Sequence, residues 1–101
     1  MTIDRRSPPQ IQRLIREIAV DTERVVFTHH ARIRMRQRHI SRGLVLDVLR
    51  YGRVSRVPEP NPRFGSLECR IERYSAGRQI AVIAALCDDN PEVLVITVIA
   101  A

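Results

Sequence analysis

The spacing of apolar residues changes once along this chain, near Gly52, and that change constrains the fold more than any other feature. Before Gly52, three segments repeat apolar residues every three or four positions, which is the period of an amphipathic helix. After it, short segments either alternate or run apolar throughout, between turns rich in Gly, Pro, Asp and Asn. Helices followed by strands with short connections predict an α+β fold, with three N-terminal helices packed on a four-stranded antiparallel sheet.

Each helical segment begins at a residue that favours a helix start. Ser7–Gln10 has the S-x-x-Q pattern of a capping box, with Pro at the first helical position. Thr28 and Ser41 are predicted N-caps of the second and third helices. Gly52 follows the third helix and is predicted to be its left-handed C-cap. The second helix is predicted to end near His39.

The second half of the chain is typical of strands separated by turns. The segment 67–74 alternates, and this places Arg70 on the face opposite Cys69. The segment 79–87 is apolar on both faces, so we expect a central strand that is covered on both sides or lies in an interface. Alternating prolines at 58–62 predict a stiff loop, since Pro cannot continue a ladder. The four strands are predicted at 54–57, 67–74, 79–87 and 93–99.

Length and composition indicate the class of protein. With 101 residues we expect a single domain, 1–101, with a loose N-terminal tail at 1–6. No apolar run has the length of a membrane span, and the first residues lack the apolar core of a signal peptide, so we expect a cytoplasmic protein without membrane contact. Cys69 and Cys87 lack C-x-x-C spacing and are expected to be small buried residues in a reducing compartment.

The charge of the chain is strongly positive and is carried by one residue type. All 17 basic residues are arginine, against 11 acidic residues, so the formal net charge is +6. This charge favours an anionic partner such as nucleic acid or an acidic protein. Arginine offers a planar fork that suits phosphate and carboxylate, although exclusive use of arginine also fits a bias in genome composition.

The segment Thr28–Ser41 contains all three histidines and four of the arginines. With 100° of rotation per helical residue, Ala31 and Met35 lie on the apolar side. One row along the helix consists of His30, Arg34 and Arg38. Arg38 is predicted to lie between Ala31 and Met35, at the edge of the core. A buried arginine needs a carboxylate, carbonyl oxygens or an anionic ligand, so the row predicts either a site or an internal ion pair.

A longer pattern, T-x-H-A-x-x-R-M-x-x-R, covers Thr28–Arg38. Other segments that fit the same pattern are Ile40–Ser41, Val48–Leu49, Gly52, Arg70–Glu72 and Val93–Val98. Together they resemble the family of domains of unknown function numbered 4258, over residues 10–99. The resemblance implies a RelE-like or barnase-like ribonuclease fold and an antitoxin-like protein as partner. Cys69 stands where an aromatic residue is expected in that family.

The first functional hypothesis is that of a RelE-like, toxin-type endoribonuclease or an RNA-binding descendant. It acts on RNA or at the ribosome without a metal ion or cofactor, and leaves 2′,3′-cyclic phosphate and 5′-hydroxyl ends. His30 is the base or acid, because imidazole titrates near neutrality. The cations that hold the phosphate and stabilise its developing charge are Arg34, Arg38 and Arg70. Residues assigned to substrate binding are Thr28, Arg32, Tyr74 and Thr97.

Other hypotheses stay open. In a structural reading Arg38 pairs with Asp47, Glu68 or Glu72, and the chain is a non-catalytic protein-interaction module. A DNA-binding, winged-helix-like protein is a weaker alternative, because the third helix is mostly apolar. No histidine pair has the four-residue spacing of a metal site. A homodimer, or addition of an antitoxin segment to the sheet, also remains open.

Overall fold

The computed structural model describes residues 7–87 and 89–100, and the tail predicted at 1–6 lies outside them. The helices are α1 (Pro8–Val20), α2 (His29–Arg38) and α3 (Arg42–Tyr51), with a single 3₁₀ turn at Thr22–Arg24. The strands are β1 (Val25–Phe27), β2 (Arg53–Val54), β3 (Glu59–Asn61), β4 (Ser66–Ser75), β5 (Arg78–Cys87) and β6 (Asn90–Ala100). The α+β class and the three helices are therefore confirmed.

The helix starts follow the sequence closely. Ser7 forms the predicted capping box with Gln10. The hydroxyl of Thr28 accepts a hydrogen bond from the amide of Ala31 at 3.1 Å, and Ser41 caps α3 in the same way. These contacts are local, within three residues, which is why the pattern of residue types was sufficient to predict them.

The sheet has six strands and is mixed, so the prediction of four antiparallel strands was wrong. Its order is β1-β6-β5-β4-β2, and β3 also pairs with β4. β1 lies parallel to β6, with Phe27 beside Ile96, because α2 and α3 intervene and no hairpin links the two strands. Pro60 lies within β3, where the proline loop was predicted to carry no strand. Pro is compatible with this edge position, since no ladder bond depends on its missing N–H.

One hydrophobic core lies between the three helices and one face of the sheet. The strands contribute every second side chain to it, including Cys69, Ile71, Val82 and Leu94, while the helices contribute residues such as Ile15. The opposite face, which carries Arg70, is called the open face below. Among the described residues, none of the helices combines the length and apolar character needed to cross a membrane.

Gly52 is not the left-handed cap that the sequence predicted. Its backbone is extended, with φ −75° and ψ −179°. A Cβ atom at this position would lie 2.3 Å from the carbonyl oxygen of Val48, 2.8 Å from Cγ2 of Ile71 and 2.9 Å from the carbonyl oxygen of Glu72. Glycine is therefore required by close packing of α3 against β4. The left-handed residue after a helix is instead His39, with φ 56°.

The β4–β5 hairpin turns through two residues with positive φ, Ala76 at 55° and Gly77 at 80°. This geometry favours Asn-Gly, because alanine is strained in the left-handed region. We expect Ala76→Asn to raise the free energy of unfolding by about 1 kcal/mol, measured by urea denaturation. Ala76→Val serves as the opposite control and should destabilise, since a β-branched residue tolerates positive φ least. Equal stability of the two variants would contradict this description of the turn.

Candidate nucleic-acid interface

The second helix turns only a narrow stripe towards the core. Within α2 only Ala31 and Met35 are buried. The amide of Thr28 donates to the carbonyl oxygen of Ile96 at 3.1 Å, which joins the start of the helix to β6. The other charged and imidazole side chains form what we call the α2 basic surface, which consists of His29, His30, Arg32, Arg34, Arg36, Arg38 and His39. Arg34 is half-buried and the other six are exposed.

The α2 basic surface has no compensating charge of its own. Residues 24–46 contain no Asp or Glu. Within residues 7–87 and 89–100, the ion pairs join Arg70 to Glu72 and Arg73 to Asp47, and neither involves α2. The side chains of the four α2 arginines make no hydrogen bond in that same part of the chain. Such a concentration of unpaired, exposed guanidinium groups favours an anionic ligand.

Arg38 is exposed, not inserted between Ala31 and Met35 as the helical period predicted. The reason is that it occupies the last turn of α2, where the core stripe of the helix ends. Its backbone is held instead: Arg78 donates from Nη1 to the carbonyl oxygen of Arg38 at 2.7 Å and from Nη2 to that of His39 at 2.6 Å. A positively charged guanidinium at the C-terminal carbonyls of a helix also interacts favourably with the negative end of the helix dipole.

The carboxylates proposed as internal partners of Arg38 bind other groups. Oδ2 of Asp47 accepts from Nε of Arg73 and from the hydroxyl of Ser75, both at 2.9 Å. Glu68 accepts from Nδ2 of Asn61 at 3.1 Å, and Glu72 accepts from Nε of Arg70 at 3.2 Å. The internal ion pair of the structural reading therefore does not form, and Arg38 is available to a ligand.

Arg78 is expected to fix the end of α2 and hence the direction of its basic surface. We expect Arg78→Ala to lower the free energy of unfolding by about 1 kcal/mol, since two charge-assisted hydrogen bonds to the exposed carbonyl oxygens of Arg38 and His39 are lost. The matched control is Arg53→Ala, because Arg53 is exposed and has no side-chain partner in the described residues. Thermal unfolding should show little change for that control. An equal loss of stability in both variants would contradict this role of Arg78 at the end of α2.

A second feature lies on the open face of the sheet. A cleft of about 730 Å³ has a floor that includes Ile83, Ala85 and Val95, with Arg70 and Thr97 beside them. The Thr97 hydroxyl donates to the carbonyl oxygen of Ile83 at 3.3 Å. The other residues that line the cleft are Arg56, Val57, Glu59, Phe64, Ser66, Glu68, Cys87 and Asp89. We call this feature the open-face cleft.

The predicted site residues are divided among separate places. His30, Arg32, Arg34 and Arg38 share the α2 basic surface, and Thr28 is the N-cap of that helix. Arg70 and Thr97 line the open-face cleft, to which no described residue of α2 contributes. Tyr74 lines a different cavity, of about 390 Å³, together with Tyr51 and Glu72.

Two shifted pKa values describe the chemistry near β4. Burial, and then the charge of Glu68, raise the pKa of Cys69 to about 12, so this thiol stays protonated and is not a nucleophile. Hydrogen bonds from Ser55 and Arg70 lower the pKa of Glu72, which keeps Glu72 ionised and Arg70 compensated. The Ser55 hydroxyl is also within reach of the Arg70 carbonyl oxygen, at 3.4 Å. Within residues 7–87 and 89–100, no three His, Cys, Asp or Glu side chains are placed to hold a metal ion.

Sequence reasoning missed several residues of these two surfaces. Arg36 was given no role, although it is exposed and belongs to the same set of arginines as Arg32 and Arg38. Phe64 and Val57, on the loop at the cleft, were not singled out. The signal for the cleft was present, since 79–87 is apolar on both faces and predicted a cover that no described element supplies.

Fold and surfaces together define a small α+β protein that covers one face of a mixed sheet with helices, leaves a cleft on the other face, and exposes a basic helix. Residues 27–100 match the family described as a domain of unknown function (DUF4258), and the chain belongs to that family. The matched range contains α2 and every residue of the cleft. Comparison with curated proteins and with solved structures gave no match.

Proposed function

We propose that this protein binds RNA and that the α2 basic surface holds the phosphate backbone. One observation carries the proposal: four arginines and three histidines lie along α2 and its C-cap, in a segment without any acid, and no side-chain partner for those arginines lies among the described residues. A ten-residue helix is about 15 Å long, so several consecutive phosphates can pass along it. The guanidinium fork contacts phosphate oxygens in pairs, which suits this role.

RNA is the preferred nucleic acid for two reasons. The resemblance to RelE-like toxins implies it, and the barnase-like or RelE-like relation is part of this proposal. In addition, α3 turns Val45, Val48 and Leu49 into the core, so it offers no polar recognition helix to a DNA groove. The ribosome as a partner and a cytoplasmic location are part of the same proposal.

The proposal extends to cleavage without a metal ion. His30 takes the proton of a ribose 2′-hydroxyl, the 2′-oxygen attacks phosphorus, and the bond to the 5′-oxygen breaks. The products are a 2′,3′-cyclic phosphate and a 5′-hydroxyl. The leaving 5′-oxygen takes its proton from water, and the His30 imidazolium returns its proton to the solvent. Arg34 and Arg38, one and two turns after His30, would stabilise the charge on the phosphorane. Arg70 and Thr97 lie in the open-face cleft and are not needed for this step.

The experiment separates binding from cleavage. A fluorescein-labelled single-stranded RNA is titrated with protein in EDTA, and anisotropy and product ends are both measured. We expect salt-sensitive binding, and cleavage that leaves cyclic phosphate ends and is lost in His30→Ala while binding persists. Binding without cleavage would remove the catalytic step and leave the RNA-binding role. Absence of binding at low salt would overturn both and favour the alternative, a protein-interaction module whose α2 surface binds an acidic protein such as an antitoxin-like partner.

A further inference from the structure

We propose that the open-face cleft binds an extended protein segment that presents apolar side chains beside Lys or Arg. The cleft lies on the sheet face that the helices leave open. It shares no described residue with the α2 basic surface, so this site is independent of the proposed RNA contact. Its volume, about 730 Å³, falls within the range of pockets that bind ligands.

The floor of the cleft is apolar because of the middle strands. Ala85 of β5 lies between Glu68 of β4 and Val95 of β6, and Ile83 lies beside Arg70. The small side chain of Ala85 leaves a depression between larger neighbours. A central strand that is apolar on both faces is ordinarily covered on both, and in the described part of the chain this face is not.

Two large apolar side chains at the lip of the cleft are exposed to solvent. Val57 is 77% exposed and Phe64 is 67% exposed, and both line the cavity. Exposed apolar groups next to an apolar floor form a continuous patch, which marks an interaction site more often than scattered surface residues do. An aromatic side chain at such a position is a common anchor for a protein partner.

The charges around the floor indicate a basic partner. Glu59, Glu68 and Asp89 lie in the lining with Arg56 and Arg70. Glu72 already compensates Arg70, and the guanidinium of Arg63 lies 5.3 Å from the centre of the Phe64 ring. Glu59 lies directly opposite Glu68 in the β3–β4 pair, an arrangement that is unfavourable unless a cation or a donor lies nearby. These four carboxylates outnumber the three arginines by one in a chain of net charge +6. The cleft therefore favours a cation, whereas an anion would prefer the α2 basic surface.

The segment is expected to lie across the face and not to add to the neighbouring sheet edge. β3 forms that edge and contains Pro60, with Pro58 and Pro62 on either side. Proline has no N–H to donate, so this edge cannot continue a ladder with a partner. Side-chain contacts with the floor, the lip and the carboxylates therefore carry the binding.

The test uses three capped five-residue peptides with the ¹⁵N-labelled protein. The probe is Leu-Arg-Val-Arg-Leu, and its two controls replace both Arg by Glu, or both Leu and the Val by Ser. We expect the probe to shift amide resonances within 56–70 and 83–97. It should bind about 10-fold more tightly than either control, since each lacks either the charge or the apolar contact.

Matched variants locate the contact. Phe64→Ser should weaken the probe about 10-fold, while Tyr74→Ser, which removes an equally exposed aromatic outside the cleft, should not. Glu68→Gln should weaken it about 5-fold, while Glu17→Gln on α1 should not. Thermal unfolding of each variant confirms that the fold is retained.

Four outcomes would overturn the proposal. The first is that the Glu peptide binds as tightly as the probe, and the second is that the probe shifts only amide resonances outside the cleft. The third is that an RNA oligonucleotide shifts the amide resonances of the cleft. The fourth is that light scattering shows a dimer which Phe64→Ser dissociates. The third would assign the cleft to nucleic acid, and the fourth to a second copy of this chain.

Discussion

Replacing Arg32, Arg36 and Arg38 together by Gln is expected to weaken binding to single-stranded RNA about 100-fold at 50 mM salt. All three guanidinium groups are exposed and have no side-chain partner in the described residues, so the change removes charge from the α2 basic surface without breaking an internal contact. The anisotropy titration in EDTA measures the loss. Circular dichroism should show unchanged helix content, because Gln and Arg are similar helix formers.

The control for this variant removes the same charge elsewhere. Arg13, Arg53 and Arg56 are also exposed, and their triple replacement by Gln should change affinity less than about 5-fold, through long-range attraction alone. The dependence of affinity on salt adds a second readout. Its logarithmic slope should fall by about 2 for the α2 variant, near 0.7 for each lost phosphate contact. A loss of the same size in both triple variants would show that net charge, not the α2 basic surface, holds RNA.

Gly52→Ala is expected to lower the free energy of unfolding by about 3 kcal/mol. The new Cβ would lie 2.3 Å from the Val48 carbonyl oxygen and 2.9 Å from that of Glu72, and neither backbone atom moves without shifting α3 or β4. A loss of this size is a large part of the stability of a domain this small. Urea denaturation of the purified variant measures it.

Two further variants identify the cause. A Cβ atom at Gly43, in α3, would lie 3.7 Å from Oγ of Ser41, which is ordinary contact. Gly43→Ala should therefore raise the free energy of unfolding slightly, because alanine favours a helix. Gly52→Asn distinguishes crowding from a left-handed cap, since asparagine tolerates the left-handed region. We expect Gly52→Asn to be at least as harmful as Gly52→Ala. Wild-type stability in Gly52→Asn would restore the cap interpretation.

Local signals determined much of this protein before any tertiary contact was known. The caps at Ser7, Thr28 and Ser41 were predictable because each bonds an amide three residues away. The alternation in β4 was predictable because successive side chains on a strand point to opposite faces. The same alternation correctly predicted that Cys69 and Arg70 point to opposite faces of the sheet. Membership of the family rested on the same kind of information, a pattern of residue types along α2 and the strands.

Contacts between distant segments decided the rest. The parallel pairing of β1 with β6 depends on where the intervening helices lie, and the role of Gly52 depends on Ile71 in another strand. The helical period gives the direction in which Arg38 points. It does not say how far along α2 the neighbouring elements cover the helix, and they do not cover Arg38. In the same way, strand alternation separated Arg70 from Cys69 but did not say on which face α2 packs. Sequence therefore determined the helices, the three long strands and their faces, whereas packing alone decided that α2 and Arg70 belong to different surfaces.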